Sequence, residues 1–175
     1  MVISHRVRAC YSSLMDKHEA ERLCRLIDAQ RWAALATVQD DDVPYVSFVA
    51  YAVEPGKASM LLHVSRLSAH TGYALARPQV ALGISAPDDA QGDPQTLPRV
   101  TLEGRVELIG RDGPEYGPAR TAYLAKIPTA EQLFGFGDFV LLRIKVETLR
   151  YVGGFGRAHT VSAGRWRQWA GELGL

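Results

Sequence analysis

The sequence predicts a mainly β fold with flanking helices, its strands closing as an antiparallel barrel. Three observations point there. The first half reads as a meander, because strand-like runs follow one another across short turns rich in Asp, Pro and Gly. Residues 99–109 (RVTLEGRVELI) alternate apolar and polar side chains, the pattern of a half-buried strand. Helical periodicity is confined to short stretches between strands, which favours a closed antiparallel barrel over a doubly wound parallel sheet.

Residues 1–17 show no clear period and are read as an N-terminal arm; residues 18–162 form the barrel domain and 163–175 a tail. In residues 18–29 the apolar positions Ala20, Leu23, Cys24 and Ile27 recur at helical spacing, with Glu19, Arg22 and Arg25 outward. Residues 32–38 (WAALATV) then read as a strand. Asp40, Asp41 and Asp42 form a turn, and Pro44 opens the strand of residues 45–53, in which Ser47 is the small polar member. Glu54, Pro55, Gly56 and Lys57 make a hairpin turn. Residues 60–64 (MLLHV) are a buried strand containing His63.

A helix follows to Ala76 with Ser68 as its N-cap, and Pro78 ends it. Residues 80–84 read as a strand, and 86–98 as a polar loop. Gly104 breaks the phase of the next strand, which signals a bulge or a close backbone approach. A helix is expected from Asp112 to Lys126, and a shorter one from Pro128 to Leu133. Residues 138–146 (DFVLLRIKV) form another strand. Gly153, Gly154 and Gly156 surround Phe155 in a turn, with Phe155 as a plug under it or a cofactor contact. In the tail, Trp166 and Trp169 share a helical face that can dock on the body.

The 175 residues suffice for one core without staples. A net charge of +1 with mixed signs excludes the basic stripe of a nucleic-acid binder. No apolar run has the length of a membrane span, and the N-terminus lacks a signal-peptide core, so a cytoplasmic protein is expected. Cys10 and Cys24 do not form a CxxC pair, and no histidine has zinc-motif spacing, so no metal site is expected. No nucleophile–base pair or carboxylate dyad is evident, which fits chemistry carried by a cofactor.

The strand-to-helix break at Ser65 and Arg66 could form an anion pocket. A helix start offers free N–H groups, Ser65 a hydroxyl and Arg66 a two-pronged cation. His70 and Thr71 could complete it. Read blandly, Ser68 caps a helix and Arg66 is a solvated charge.

The ordered blocks AALATVQDDDVPYVSFVAY, MLLHVSRLSAHT, RPQVALGI, RVTLEGRVELI and GDFVLLRIKVETLRYVGGFGRA resemble the FMN-binding split-barrel superfamily of pyridoxamine 5′-phosphate oxidase. They are most like its haem-utilisation (HugZ-like) branch. The resemblance implies FMN as cofactor, bound at a homodimer interface, and an oxidoreductase acting on a small molecule. It implies backbone contacts to the flavin from Ser47, Phe48, Val49 and Ala50, and a phosphate grip from Ser65 and Arg66. His70, Thr71 and Arg99 are further cofactor-binding candidates. Leu67 stands where the oxidase has Lys, and Ser47 where it has a basic residue. Its C-terminal Arg and His have only Arg157 and His159 nearby, so vitamin B6 oxidation is not expected. The alternatives are a haem-binding or haem-degrading protein on the same barrel, with His159 as a weak candidate ligand, and a flavin-binding protein without turnover.

Overall fold

The computed structural model describes residues 15–56, 58–154 and 156–174. The arm up to residue 14, with Cys10, and the residues Lys57 and Phe155 lie outside the described residues. Four helices are α1 (Lys17–Ala29), α2 (Ala69–Ala76), α3 (Tyr116–Lys126) and α4 (Ala163–Glu172). Seven strands are β1 (Trp32–Val38), β2 (Pro44–Glu54), β3 (Ser59–Ser65), β4 (Gln79–Ser85), β5 (Arg99–Ile109), β6 (Phe139–Val152) and β7 (Ala158–Ser162). Short 3₁₀ segments cover Pro94–Thr96 and Pro128–Gly135. All strand pairs are antiparallel, in the order β3-β2-β1-β4-β5-β6-β7, and β3 also pairs with β6. That last pairing closes β1–β6 into a six-stranded barrel and leaves β7 as an added strand. The chain thus has the split-barrel architecture the sequence implied, since closure is what removes exposed sheet edges.

Strand β6 is longer than its apolar run suggested. Its first half closes the barrel against β3 through Phe139↔Ser65 to Ile144↔Met60. Its second half carries β7, from Thr148↔Ser162 to Val152↔Ala158. The register against β5 shifts between Glu103 and Gly104. A Cβ on Gly104 would collide with the Lys145 carbonyl oxygen, so the expected close backbone approach is present.

The interior is packed by Leu35, Tyr51, Met60, Leu62, Leu82, Leu102, Leu142 and Leu149, all buried. Helix α1 covers one end, its Asp16 cap accepting from the Glu19 amide at 2.8 Å. Tyr51 donates from inside the barrel to the Ile27 carbonyl at 2.7 Å. Helix α4 docks through fully buried Trp166, which donates to the Ala58 carbonyl at 2.7 Å. This bond helps hold Ala58 at φ +51°, a conformation a non-glycine residue rarely adopts.

A second, smaller core lies outside the barrel wall. There Ala52, Leu61 and Leu141 meet Ala119, Tyr123, Ile127, Ala130 and Phe134 from α3 and the 3₁₀ segment after it. Beside it, Arg143 is buried with a two-pronged bond to Glu54 (2.6 Å twice) and a third to Glu115 (2.8 Å). Among the described residues, no helix is long and apolar enough to cross a membrane.

Candidate functional site

The β3–α2 break is strapped from within. The Ser65 hydroxyl donates to the Asp138 carboxylate at 2.5 Å and accepts from the Leu67 amide at 3.0 Å. The Arg66 amide donates to the Asp138 carbonyl at 2.8 Å. Thr71, buried, donates its hydroxyl to the Ser65 carbonyl at 2.7 Å. Among the described residues, the exposed Arg66 guanidinium has no hydrogen bond or ion pair.

Next to this strap, a groove of about 300 Å³ runs between the barrel wall and the α3 side. Strand alternation places Leu61, His63 and Ser65 on the outer face of β3. His63 is therefore aimed under α3. Its ring stacks on Phe134 (3.7 Å between centroids, 5°) and meets Phe139 at 5.1 Å and Tyr123 at 5.8 Å. Neither ring nitrogen of His63 has a hydrogen-bond partner among the described residues. Burial, with the nearby cations Arg111 and Arg120, lowers its pKa to about 4, so the ring is neutral at ordinary pH.

His70, in the first turn of α2, lines the same groove. Its Nε2 is buried without a partner, and burial lowers its pKa. At the mouth, Trp32 and Phe48 stack at 5.9 Å and 15°. They are 58% and 60% exposed, which large aromatic rings are not without a reason. The arrangement is a mostly aromatic slot holding two uncharged imidazoles, with Arg66, Arg111 and Arg120 around it.

Two cavities elsewhere are larger, at about 380 and 390 Å³. The first is walled by ion pairs already satisfied internally, Arg143 with Glu54 and Glu115, and Lys145 with Glu107. The second lies on the outer wall of β1, β4 and β5 and holds Glu103 and Glu147 but no imidazole. Neither brings together unsatisfied groups as the groove does.

Of the residues named from sequence, Phe48, Val49, Ala50, Ser65 and His70 line the groove. Ser47, Arg66, Thr71 and Arg99 do not. The Ser47 hydroxyl is buried without a partner among the described residues. Arg99 holds the Pro94–Thr96 turn by donating to the Gln95 and Leu97 carbonyls at 2.8 and 3.2 Å. It pairs with Val152 on β6 while Ser65 pairs with Phe139, so the two lie at opposite ends of that strand. His159 stacks on Tyr151, also at the far end from the groove. Trp32, Tyr123 and Phe139 were missed. A Trp opening a strand was a usable signal for the first. The approach of α3 to the barrel wall, which brings in Tyr123, has no local signature.

The CREG β-barrel family model matches residues 15–168. The haem oxygenase HOZ of Arabidopsis thaliana chloroplasts is 37% identical over 116 residues, which are 66% of this chain and 33% of that protein. A haem-binding protein from Mycobacterium smegmatis superposes with a TM-score of 0.76 at 31% identity, over 85% of this chain and 60% of that one. Campylobacter jejuni ChuZ has a TM-score of 0.74 at 15% identity, over 83% of this chain and 59% of that one, which bears on the fold alone. The chain thus spans between a third and three fifths of the length of these relatives. HOZ and the mycobacterial protein are named for haem and not for a flavin, which overturns FMN as the expected cofactor. The geometry supplies a physical reason. The hydroxyl expected to grip a phosphate is spent on the Asp138 carboxylate, and a phosphate brought there would face that negative charge.

Proposed function

The chain belongs to the CREG β-barrel family, and on that premise we propose that it binds haem in the groove between the barrel wall, α2 and α3. The carrying observation is an aromatic slot in which, among the described residues, both nitrogens of buried His63 and the buried Nε2 of half-exposed His70 lack partners. An unpartnered buried polar atom costs about 1–3 kcal/mol, and a ligand that satisfies it recovers that cost. A neutral imidazole is the form that ligates a metal. Trp32 and Phe48 offer flat apolar surface to a planar ring. Arg66, exposed and without a partner among the described residues, suits a carboxylate at the haem edge. The groove is small for a ligand site, so it covers part of the ring and leaves the rest against the exposed aromatic mouth.

Bound haem supplies iron that can activate oxygen. The protein's part is to hold the ring, to keep water from its buried side, and to fix a neutral nitrogen beside it. HOZ, at 37% identity over 116 residues, favours haem breakdown as the second reading. We also propose a homodimer that covers the Trp32 and Phe48 face.

The test is titration of haemin into the purified protein. Saturable growth of a Soret band, weakened when Phe48 is replaced by Asp, is the expected result. A spectrum no different from free haemin would overturn the reading. With reductant and air, loss of the Soret band would support breakdown, and an unchanged band would leave binding alone.

A further inference from the structure

Resting on the haem reading, we propose that His70, and not His63, is the residue whose nitrogen ligates the iron. The two imidazoles share the groove but differ in three ways.

The first difference is reach. His63 sits on the floor, 7% exposed, its ring held by Phe134, Tyr123 and Phe139. A groove of about 300 Å³ does not enclose a whole porphyrin, so the ring must extend to the mouth, where Trp32 and Phe48 are exposed. His70 is half-buried, in the first turn of α2, and so is the more accessible of the two from solvent.

The second difference is the other nitrogen. A ligating imidazole usually gives its second N–H to a carbonyl, a carboxylate or water, which fixes the ring and raises its basicity. His63 has both nitrogens buried and unpartnered, so ligation through one would leave the other orphaned. His70 has only Nε2 in that state, and ligation there relieves its one unsatisfied atom.

The third difference is freedom to adjust. His63 is fixed by a central strand and three aromatic rings. His70 has no ring contact among the described residues, so its side chain can rotate onto a metal while Thr71 keeps the turn tied to the Ser65 carbonyl. His63 then acts as floor, filling the space beneath the ring.

The experiment compares haemin with metal-free protoporphyrin, so that ligation and shape are read separately. Both are titrated into the full chain and into the variants His70→Ala, His70→Gln and His63→Leu, each checked for folding by thermal melting. For His70→Ala, haemin affinity should fall about tenfold or more, as when metal ligation is disturbed. Its Soret maximum and electron paramagnetic resonance signal should move, while protoporphyrin binding holds. Free imidazole should restore the wild-type signal in that variant, and His70→Gln should behave like His70→Ala. His63→Leu should weaken both ligands in equal proportion and keep the iron signal of the wild type.

An unchanged iron signal in the His70 variants would overturn the assignment, as would a loss of the signal in His63→Leu. Equal loss of both ligands in His70→Ala would also overturn it, by showing a role in shape. If the wild type takes up neither ligand, the haem reading itself falls.

Discussion

A buried neutral histidine ties stability to pH. The folded pKa of His63 lies near 4, below the ordinary 6.5. Between those values the unfolded chain binds a proton that the folded chain does not. Stability therefore rises with pH through this window, is complete above about 6.5, and is lost as pH falls toward 4. The shift corresponds to about 3 kcal/mol, at 1.36 kcal/mol per unit. Thermal melting at pH 4.5, 5.5 and 7 should show the wild type losing stability faster than His63→Leu. Parallel curves for the two proteins would show that His63 is hydrated, and that the groove floor is open to water. The polar character of this residue was visible in the sequence, as the lone histidine in MLLHV. Its neighbours were not, because Tyr123 and Phe134 arrive from 60 and 71 residues further along the chain.

At the scale of elements, the clearest commitment is the ion cluster of β2, β6 and α3. Arg143 is 4% exposed and spends its donors on Glu54 and Glu115. Its protonated form is held firmly, chiefly by the hydrogen bonds to Glu54. Replacing Arg143 by Met leaves the buried Glu54 carboxylate without this cation and should cost about 3–5 kcal/mol. The double variant with Glu54→Leu should regain most of that loss, since apolar residues of similar volume often replace buried pairs without penalty. Urea unfolding of the two variants measures it. A single variant as stable as the wild type would show that the cluster is not dry.

The bounds of β1 and β5 were legible because each is an unbroken run or alternation ended by turn residues. The ends of β6 were not. Glu147 and Thr148 interrupt its apolar run where the bulge opposite Gly104 turns the strand. Strand β7 has five residues squeezed between a glycine turn and α4, too few to show a period. The short helix expected from Pro128 is a 3₁₀ segment that continues to Gly135.

The molecule as a whole presents one wall that a lone barrel does not explain. An antiparallel strand with one face in water alternates apolar and polar residues. Strand β1 does not, because Ala33 and Leu35 face inward while Trp32, Ala34 and Ala36 face outward. Across from them on β2 stand Ala50, Phe48 and Val46, with Val46 and Phe48 each 60% exposed. On the other side, β4 brings the small residues Ala81 and Gly83 beside Ala36 and Ala34, and the hollow that holds Glu103 and Glu147 begins there. The sequence already carried the apolar wall in WAALATV, apolar on both faces. Further along, Phe134 is buried in the second core while Phe136 is exposed. The exposed apolar side chains Trp32, Val46 and Phe48 suit the same face on a second copy, the commonest closed assembly. Light scattering at micromolar concentration should give twice the mass of 19.2 kDa. Phe48→Asp, which sets a charge in the middle of the wall, should give a single chain without lowering the melting temperature of its core. A monomeric wild type would mean that the wall serves only as the mouth of the groove.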